Sequence, residues 1–513
     1  MPNCLGLFPR MDLKMQSKRN QWCRRGFLTG GLVCGVSALT SAGAIAQGTK
    51  TSAIIEPSRQ PLLRTRIEIE VTGNVDAGEA AAGGKSSRKL PIESKASFDY
   101  EERALWPEGA SEDSEIVAAQ RYYHRAICTS KLNKTASTRT LRDPMRLTMI
   151  RRDDLPETIY SSENFFTHAE LSLLRSPISS VAADQFLPRG RVLEGDSFEI
   201  EPNAICSVLN LTTVDTGTVT GKVISIDNES VKFQLKGDLE ASIDGVSTRL
   251  RLIGKMTYDR ASRTCSWLAL ALHETREKNA AEPGFDVSAT IRMLRKPLAK
   301  PVRLPSEAPK VDFARPVPDD YLYVELRSNA LRLGTMVDRR WKVIQDQIGS
   351  AVIRITEHGS SIAQCNLRPL PALPEGKQLT LEGFERDVRT SLGNQLQQLV
   401  SGDQAASAQG LRVLRMVADG ESKGVRLRWI IMHFSDNEGR RVQATFTMAA
   451  EQVDAFAGGD IQFADSLRFL SPEETKPTSE EVAESRDLDG DRPAAAIAEL
   501  PEDLRSSSAS DLR

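Results

Sequence analysis

Val231-Lys232-Phe233-Gln234-Leu235-Lys236-Gly237-Asp238-Leu239-Glu240-Ala241-Ser242-Ile243-Asp244-Gly245-Val246-Ser247-Thr248-Arg249-Leu250-Arg251-Leu252-Ile253-Gly254-Lys255-Met256 is the stretch whose reading decides the fold. Apolar and small residues at 231, 233, 235, 237 and 239 alternate with charged or polar ones. After Asp244-Gly245 the period resumes through Val246, Thr248, Leu250, Leu252, Gly254 and Met256. Alternation on both sides of a turn dipeptide marks an antiparallel hairpin. A two-residue turn sets Ile243 opposite Val246, Leu239 opposite Leu250, Gly237 opposite Leu252 and Leu235 opposite Gly254. The same register places Glu240 against Arg249 and Asp238 against Arg251. Each such pair contributes about 0.2–1 kcal/mol, and a slip by one residue would turn the charges into the core. Each arm runs about 13 residues, or roughly 43 Å at ~3.3 Å per residue. Strands of that length twist, and Gly237 and Gly254 are where bending is expected.

Downstream, Thr264–Arg276 reads as a third strand with Leu268, Leu270 and Leu272 toward the core, and Phe285–Arg295 as a fourth. Upstream, Leu62–Val71, Pro91–Leu105 and Ala118–Lys131 alternate as strands. Asn164–Leu174 and Ile178–Gln185 read as helical or irregular. Residues 60–297 are therefore expected to form a curved, half-barrel-like antiparallel β domain. Its concave face has two readings: a cavity for an apolar ligand, or a face filled by the helical segment near 164–185. The filled face is preferred. In pattern the region resembles the periplasmic lipoprotein-carrier folds, which is what suggests the ligand.

Pro297, Pro301, Pro305, Pro309, Pro316 and Pro318 make 298–320 an extended linker. Residues 321–470 read as a second domain. Thr380 caps a helix with the stripe Leu381, Phe384, Val388, Leu392, Leu396 and Leu399. The strands Leu411–Ala418, Val425–Phe434 and Arg440–Ala449 follow, then a short helix, Glu451–Phe456. The expected class is α+β, with an α/β sandwich in this second domain. The Val425–Ala449 hairpin and the closing Phe463-Ala464-Asp465-Ser466-Leu467-Arg468-Phe469 resemble the PsbP/Mog1-type fold, a likeness that implies partner binding. Residues 471–513 hold five Lys/Arg against twelve Asp/Glu and read as a disordered acidic tail. Asp487-Leu488-Asp489-Gly490-Asp491 is no EF-hand loop, because Arg492 and Ala498 stand where Gly and Glu are needed.

Residues 1–46 carry six Lys/Arg and one Asp. An apolar run from Phe27 follows the basic region and closes with Ala44-Ile45-Ala46 before Gln47, the plan of a cleaved export signal. Arg24-Arg25-Gly26-Phe27-Leu28 resembles a twin-arginine signal, departing from it at Cys23 and Thr29. An ordinary Sec signal and an uncleaved membrane anchor are the alternatives. The expected location is periplasmic or secreted, with no membrane span in the mature chain. A net charge of −2 carries no basic excess for nucleic acid. Cys128, Cys206, Cys265 and Cys365 lie far apart without a C-x-x-C, so they read as free thiols or, at most, one disulfide among the first three. Val192-Leu193-Glu194-Gly195-Asp196-Ser197-Phe198, Trp267-Leu268-Ala269-Leu270 and Phe285-Asp286-Val287 carry a resemblance to uncharacterised exported two-domain proteins of planctomycete-type bacteria, which implies no activity.

Gly195-Asp196-Ser197 resembles the nucleophile block of GDS-type hydrolases, but none of His124, His168, His273, His358 and His433 has Asp three residues before it. The block reads as turn chemistry. His124 and Cys128, four apart on a strand, stand ~13 Å from each other and cannot share a metal. No zincin, nucleophile-elbow, Walker A or dinucleotide-binding motif is present. No catalytic residue, metal or cofactor is assigned. The expectation is an exported, non-enzymatic binding or interaction protein of the cell envelope. Its alternatives are a carrier of an apolar ligand or lipid in the half-barrel, and a hydrolase without a recognisable motif. The partner is an envelope protein or an apolar ligand.

Overall fold

In the computed structural model the hairpin has the register its alternation and charges demand. Ile243 pairs with Val246, Leu239 with Leu250, Gly237 with Leu252 and Leu235 with Gly254. Across it, Arg249 meets Glu240 and Arg251 meets Asp238, each at 3.2 Å. A Cβ on Gly254 would stand 2.5 Å from Leu270 Cδ2 and 2.8 Å from the Ala269 carbonyl oxygen, so the absence of a side chain there lets the neighbouring strand come close. The structure describes residues 51–474, except 59, 80–86, 111–115, 279–282, 358–359, 375–376 and 473. The expected export signal and nearly all of the expected acidic tail lie outside the described residues.

The chain opens with β1 (Ser52–Ile55) and three long strands, β2 (Leu62–Glu79), β3 (Ser87–Leu105) and β4 (Ala118–Leu132). The shorter β5 (Thr135–Thr140), β6 (Leu147–Arg151), β7 (Thr158–Tyr160) and β8 (Phe166–Thr167) lead into helix α1 (His168–Leu174). A 3-10 segment, Ser180–Phe186, then precedes β9 (Gly190–Leu193), β10 (Ser197–Ile200) and α2 (Pro202–Leu209). The meander β11 (Thr213–Ile226), β12 (Ser230–Ile243), β13 (Val246–Asp259), β14 (Thr264–Arg276) and β15 (Gly284–Pro297) follows. Next come β16 (Val324–Ser328), β17 (Leu333–Val337), β18 (Trp341–Gln347), β19 (Ser350–Glu357) and β20 (Ser360–Leu370). The chain continues through α3 (Leu381–Leu392), β21 (Leu396–Ala406), β22 (Arg412–Ser422), β23 (Val425–Ser435) and β24 (Arg441–Ala449). It closes with α4 (Val453–Phe456), α5 (Gly459–Ser466) and β25 (Arg468–Phe469).

The largest sheet runs β10-β11-β12-β13-β14-β15-β2-β3-β4-β6-β7, with β5 beside β4. A second runs β18-β19-β20-β24-β23-β22-β21, and a small one β25-β17-β16-β8. In the small sheet β16 pairs with β8 in parallel.

The expected α+β class, a half-barrel joined to an α/β sandwich, is overturned. The described residues are 56% strand and 15% helical, in several antiparallel sheets, none of them closed. The physical reason lies in stretches whose strand character needs a partner to show. The stripe read as helical from Leu381 through Leu399 is cut at Gly393, which caps α3 with φ 49, and Leu396 begins an edge strand instead. Leu333–Val337 and Trp341–Gln347, not assigned from the sequence, are paired strands.

The apolar face of the large sheet is covered by the segment between β8 and β11. Val181, Ala182, Ala183 and Phe186 of the 3-10 segment, and Ile205 and Val208 of α2, are buried in one core with Phe233, Leu235, Leu268 and Leu270. Leu268, Leu270 and Leu272 face inward. Helix α1 starts with a capping box: Thr167 Oγ1 accepts the Glu170 N–H, and Glu170 Oε2 accepts the Thr167 N–H. In the second sheet, Phe384 and Val388 of α3 pack on Leu414, Met416, Ala418, Trp429 and Ile431. Across the sheet, Trp341, Phe446 and Phe463 form edge and tilted ring contacts.

The proline-rich stretch is strapped to the large sheet. The Glu101 carboxylate, fully buried on β3, accepts the backbone N–H groups of Val302, Arg303 and Leu304 and lies 2.6 Å from His124 Nε2. Arg103 donates to the carbonyls of Pro305, Ser306 and Glu307, and Tyr321 stacks on Tyr160. Burial works against the Glu101 charge, but the Arg303, Val302 and Leu304 amides outweigh it and hold the carboxyl below its ordinary 4.5. Its contribution is therefore complete above pH 4.5 and is lost as pH falls through the folded-state value. Glu101→Gln should lower stability by about 2 kcal/mol at pH 7, with the gap to wild type closing in acid. Urea unfolding at pH 7 and pH 3.5 checks this, and a gap that widens in acid would overturn it.

Candidate functional site

A chain of buried polar groups ties the covering segment to the sheet. Arg121 on β4 donates through Nε to Glu102 Oε2 at 2.7 Å, through Nη1 to Glu157 Oε1 at 3.2 Å and through Nη2 to Ser180 Oγ at 3.2 Å. Ser180 donates to Glu102 at 2.6 Å and accepts from Tyr100 OH at 2.8 Å. Arg152 donates to Glu157 Oε2 at 2.8 Å, to Ser179 Oγ, and to Ser207 Oγ of α2 at 2.6 Å. Burial penalises the Glu157 charge, but Arg121 and Arg152 more than offset it and the carboxyl is held below its usual range. Burial pushes the Tyr100 hydroxyl well up, so it stays a neutral donor.

Glu157 also stands in the wall of a cleft of about 630 Å³, a volume within the ~300–1,000 Å³ of small-molecule sites. The cleft opens where the β12–β13 turn, the end of α2 and the β17–β18 connection meet. Its apolar wall comes from Ile159, Leu171, Leu209, Leu211, Ile243, Val246, Leu250 and Leu272. Its lining also holds Arg175, Arg276, Arg339, Arg340 and Lys342 with Glu157, Asp244, Glu274 and Glu357. Asn210, at φ 51 in the left-handed region, ends α2 there. Its Nδ2 donates to the Ser176 carbonyl at 2.9 Å, while its buried Oδ1 has no partner among the described residues. Burial and then the Arg175 charge hold Arg339 down to about 10. His168, at the first turn of α1, is held down to about 4 by burial, then by Lys342, Arg175 and Arg339.

The structure scatters the residues that the sequence offered for chemistry. Gly195-Asp196-Ser197 is a turn: Gly195 has φ 91 and Asp196 Oδ2 accepts the Leu193 N–H at 2.8 Å. His124 belongs to the strap, and Cys128 lies 3.3 Å from Ser94 Oγ. His273 faces Asp286 at 3.4 Å. Buried His433 accepts from Arg441 Nε at 2.9 Å, and burial with the Arg441 charge holds it down to about 4. Cys128, Cys206, Cys265 and Cys365 are free thiols. Arg24, Arg25, Ala46, Gln47 and His358 lie outside the described residues. Among the described residues no three His, Cys, Asp or Glu side chains gather to hold a metal, and no helix is long and apolar enough to cross a membrane. Sequence reading passed over Arg175, Asn210, Arg339 and Lys342. The available signal was Asp338-Arg339-Arg340-Trp341-Lys342, three cations against one anion beside a buried tryptophan.

No family model matches this chain, and no curated protein matches it. Among solved structures, the cyanobacterial PsbP (CyanoP) of Synechocystis is similar at 12% identity over 27% of this chain and 87% of that one, with a TM-score of 0.23. A protein of Bacteroides thetaiotaomicron is similar at 7% identity over 28% of this chain and 47% of that one, with a TM-score of 0.22. Lipovitellin is similar at 7% identity over 49% of this chain and 27% of that one, with a TM-score of 0.27. This chain thus spans about half the length of the Bacteroides protein and about a quarter of lipovitellin. Its likeness to PsbP is weak and confined to a small part of the chain.

Proposed function

We propose that this chain is an exported, non-enzymatic binding protein of the cell envelope that holds an apolar ligand in the cleft at the β12–β13 turn. The observation that carries the reading is the cleft itself, about 630 Å³ lined by apolar side chains together with charged ones. The packed face of the large sheet turns attention from the sheet interior to this opening. The basic leader and the Ala44-Ile45-Ala46 site support the location. Native mass spectrometry of protein purified from the envelope should show a retained small ligand. Ile243→Asp, which charges the apolar wall at the turn, should release it without unfolding the chain. Absence of any bound mass, together with no uptake of a neutral apolar dye, would overturn the reading. Sequencing of the mature N terminus should find Gln47 first; an intact leader in the exported protein would overturn the cleavage site.

A further inference from the structure

The cleft is lined by five cationic and four acidic side chains. Its acidic side chains are largely engaged. Glu157 is held by Arg121 and Arg152, Glu274 by Arg276 and Glu357 by Arg340. Arg340 is held also by Asp338 at 3.1 Å. Arg175 and Arg339 are different. Arg339 gives its Nε to the Leu322 carbonyl at 2.9 Å, and among the described residues neither arginine has a carboxylate partner. They come from distant parts of the chain, Arg175 from the end of α1 and Arg339 from the β17–β18 connection, yet both line the same opening. Two groups register their convergence: Arg339 senses Arg175, and His168 senses Arg175, Arg339 and Lys342. Arg175 and Arg339, two like charges lining one opening with no carboxylate partner among the described residues, make a site that an anion stabilises.

Building on the binding reading above, we propose that the cleft takes a single-chain amphiphile whose anionic head, a carboxylate or a phosphate, is held by Arg175 and Arg339. Its chain lies along Ile243, Val246, Leu250 and Leu272. The planar, multi-donor guanidinium suits both heads, and the apolar wall beside the arginines separates an amphiphile from a free inorganic anion. The 630 Å³ available suits a small molecule rather than a folded partner.

The test is calorimetric titration of the mature protein with dodecanoate and dodecyl phosphate below their micelle concentrations, with the neutral glycerol monoester of dodecanoate, and with inorganic phosphate. The anionic amphiphiles should bind about tenfold more tightly than the neutral one. Arg175→Gln and Arg339→Gln should each shrink that ratio toward one by weakening the anionic amphiphiles more than the neutral one. Equal binding of neutral and anionic amphiphiles by the wild-type protein would overturn the head-group assignment and leave the cleft reading standing. Binding of no amphiphile would overturn both. Inorganic phosphate binding as tightly as dodecyl phosphate would overturn the role given to the chain. A difference between the carboxylate and the phosphate, with both tighter than the neutral ester, supports the assignment and names the preferred head.

Discussion

Arg121→Met is expected to lower the stability of this protein by about 3–5 kcal/mol at pH 7, the range for breaking a buried ion network from one side. The methionine fills much of the arginine's volume, so the loss comes chiefly from charge. Glu102 and Glu157, both nearly inaccessible, lose their shared cation, and Ser180 loses a donor. The sign of the pH dependence follows from Glu157, which Arg121 and Arg152 hold below the ordinary carboxyl value against the opposing effect of burial. Its contribution is full above about pH 4.5 and declines as pH falls through its folded-state value. The gap between wild type and variant should therefore be widest near neutrality and narrow in acid, where Glu157 takes up a proton. Urea unfolding across pH 3.5–7 measures it. A loss under about 1 kcal/mol at pH 7, or a gap that grows in acid, would mean that the covering segment is held by packing alone.

Asp184→Ala should cost about 3–4 kcal/mol, by the same reasoning applied to one buried cation. Asp184 sits in the 3-10 segment and accepts from Arg295 Nη2 at 2.9 Å, from Thr264 Oγ1 at 2.9 Å and from the Cys265 N–H at 2.6 Å. Arg295 is 1% exposed, and apart from Asp184 its guanidinium reaches the Cys265 carbonyl at 3.1 Å. Removing the carboxylate leaves a charge, a hydroxyl and an amide to be satisfied inside the core. Asp184→Asn keeps an acceptor but no charge and should lose less. Guanidinium denaturation ranks the three proteins, and equal stability of all three would dismiss the interaction. The Cys265 thiol supplies an independent readout. Burial, then the Asp184 charge, pushes it up to about 12, so in the folded wild type it should resist disulfide reagents. In Asp184→Ala its labelling should track unfolding.

Much of the large sheet is legible in the sequence because its signals are local. The hairpin's register follows from residues within a few positions of the turn, and opposite charges across the ladder choose the same pairing as the apolar face. Strands with weak alternation are different. Leu396–Ala406 is almost wholly exposed along its length and becomes a strand because β22 offers it an edge; read alone, its first leucines extend the stripe of α3. The candidate site is less legible still. The network joining Glu102, Arg121, Glu157, Ser180 and Ser207 spans five segments, and the cleft pairs Arg175 with Arg339 through tertiary packing. Neither juxtaposition leaves a spacing that periodicity can detect.

The small sheet links early and late parts of the chain. Phe166 and Thr167 pair with Val324 and Glu325, and the sheet's other edge is Arg468–Phe469, laid against Leu333 and Gly334. Synthesis delivers β8 early and β25 among the last described residues. Assembly of that sheet waits for β25, and contacts of such sequence separation slow folding. A nascent chain halted before Arg468 would carry β17 with an open edge, a template for pairing with another molecule. Truncated or stalled copies should therefore be the ones that self-associate, and completion of the C-terminal segment is what ends that exposure.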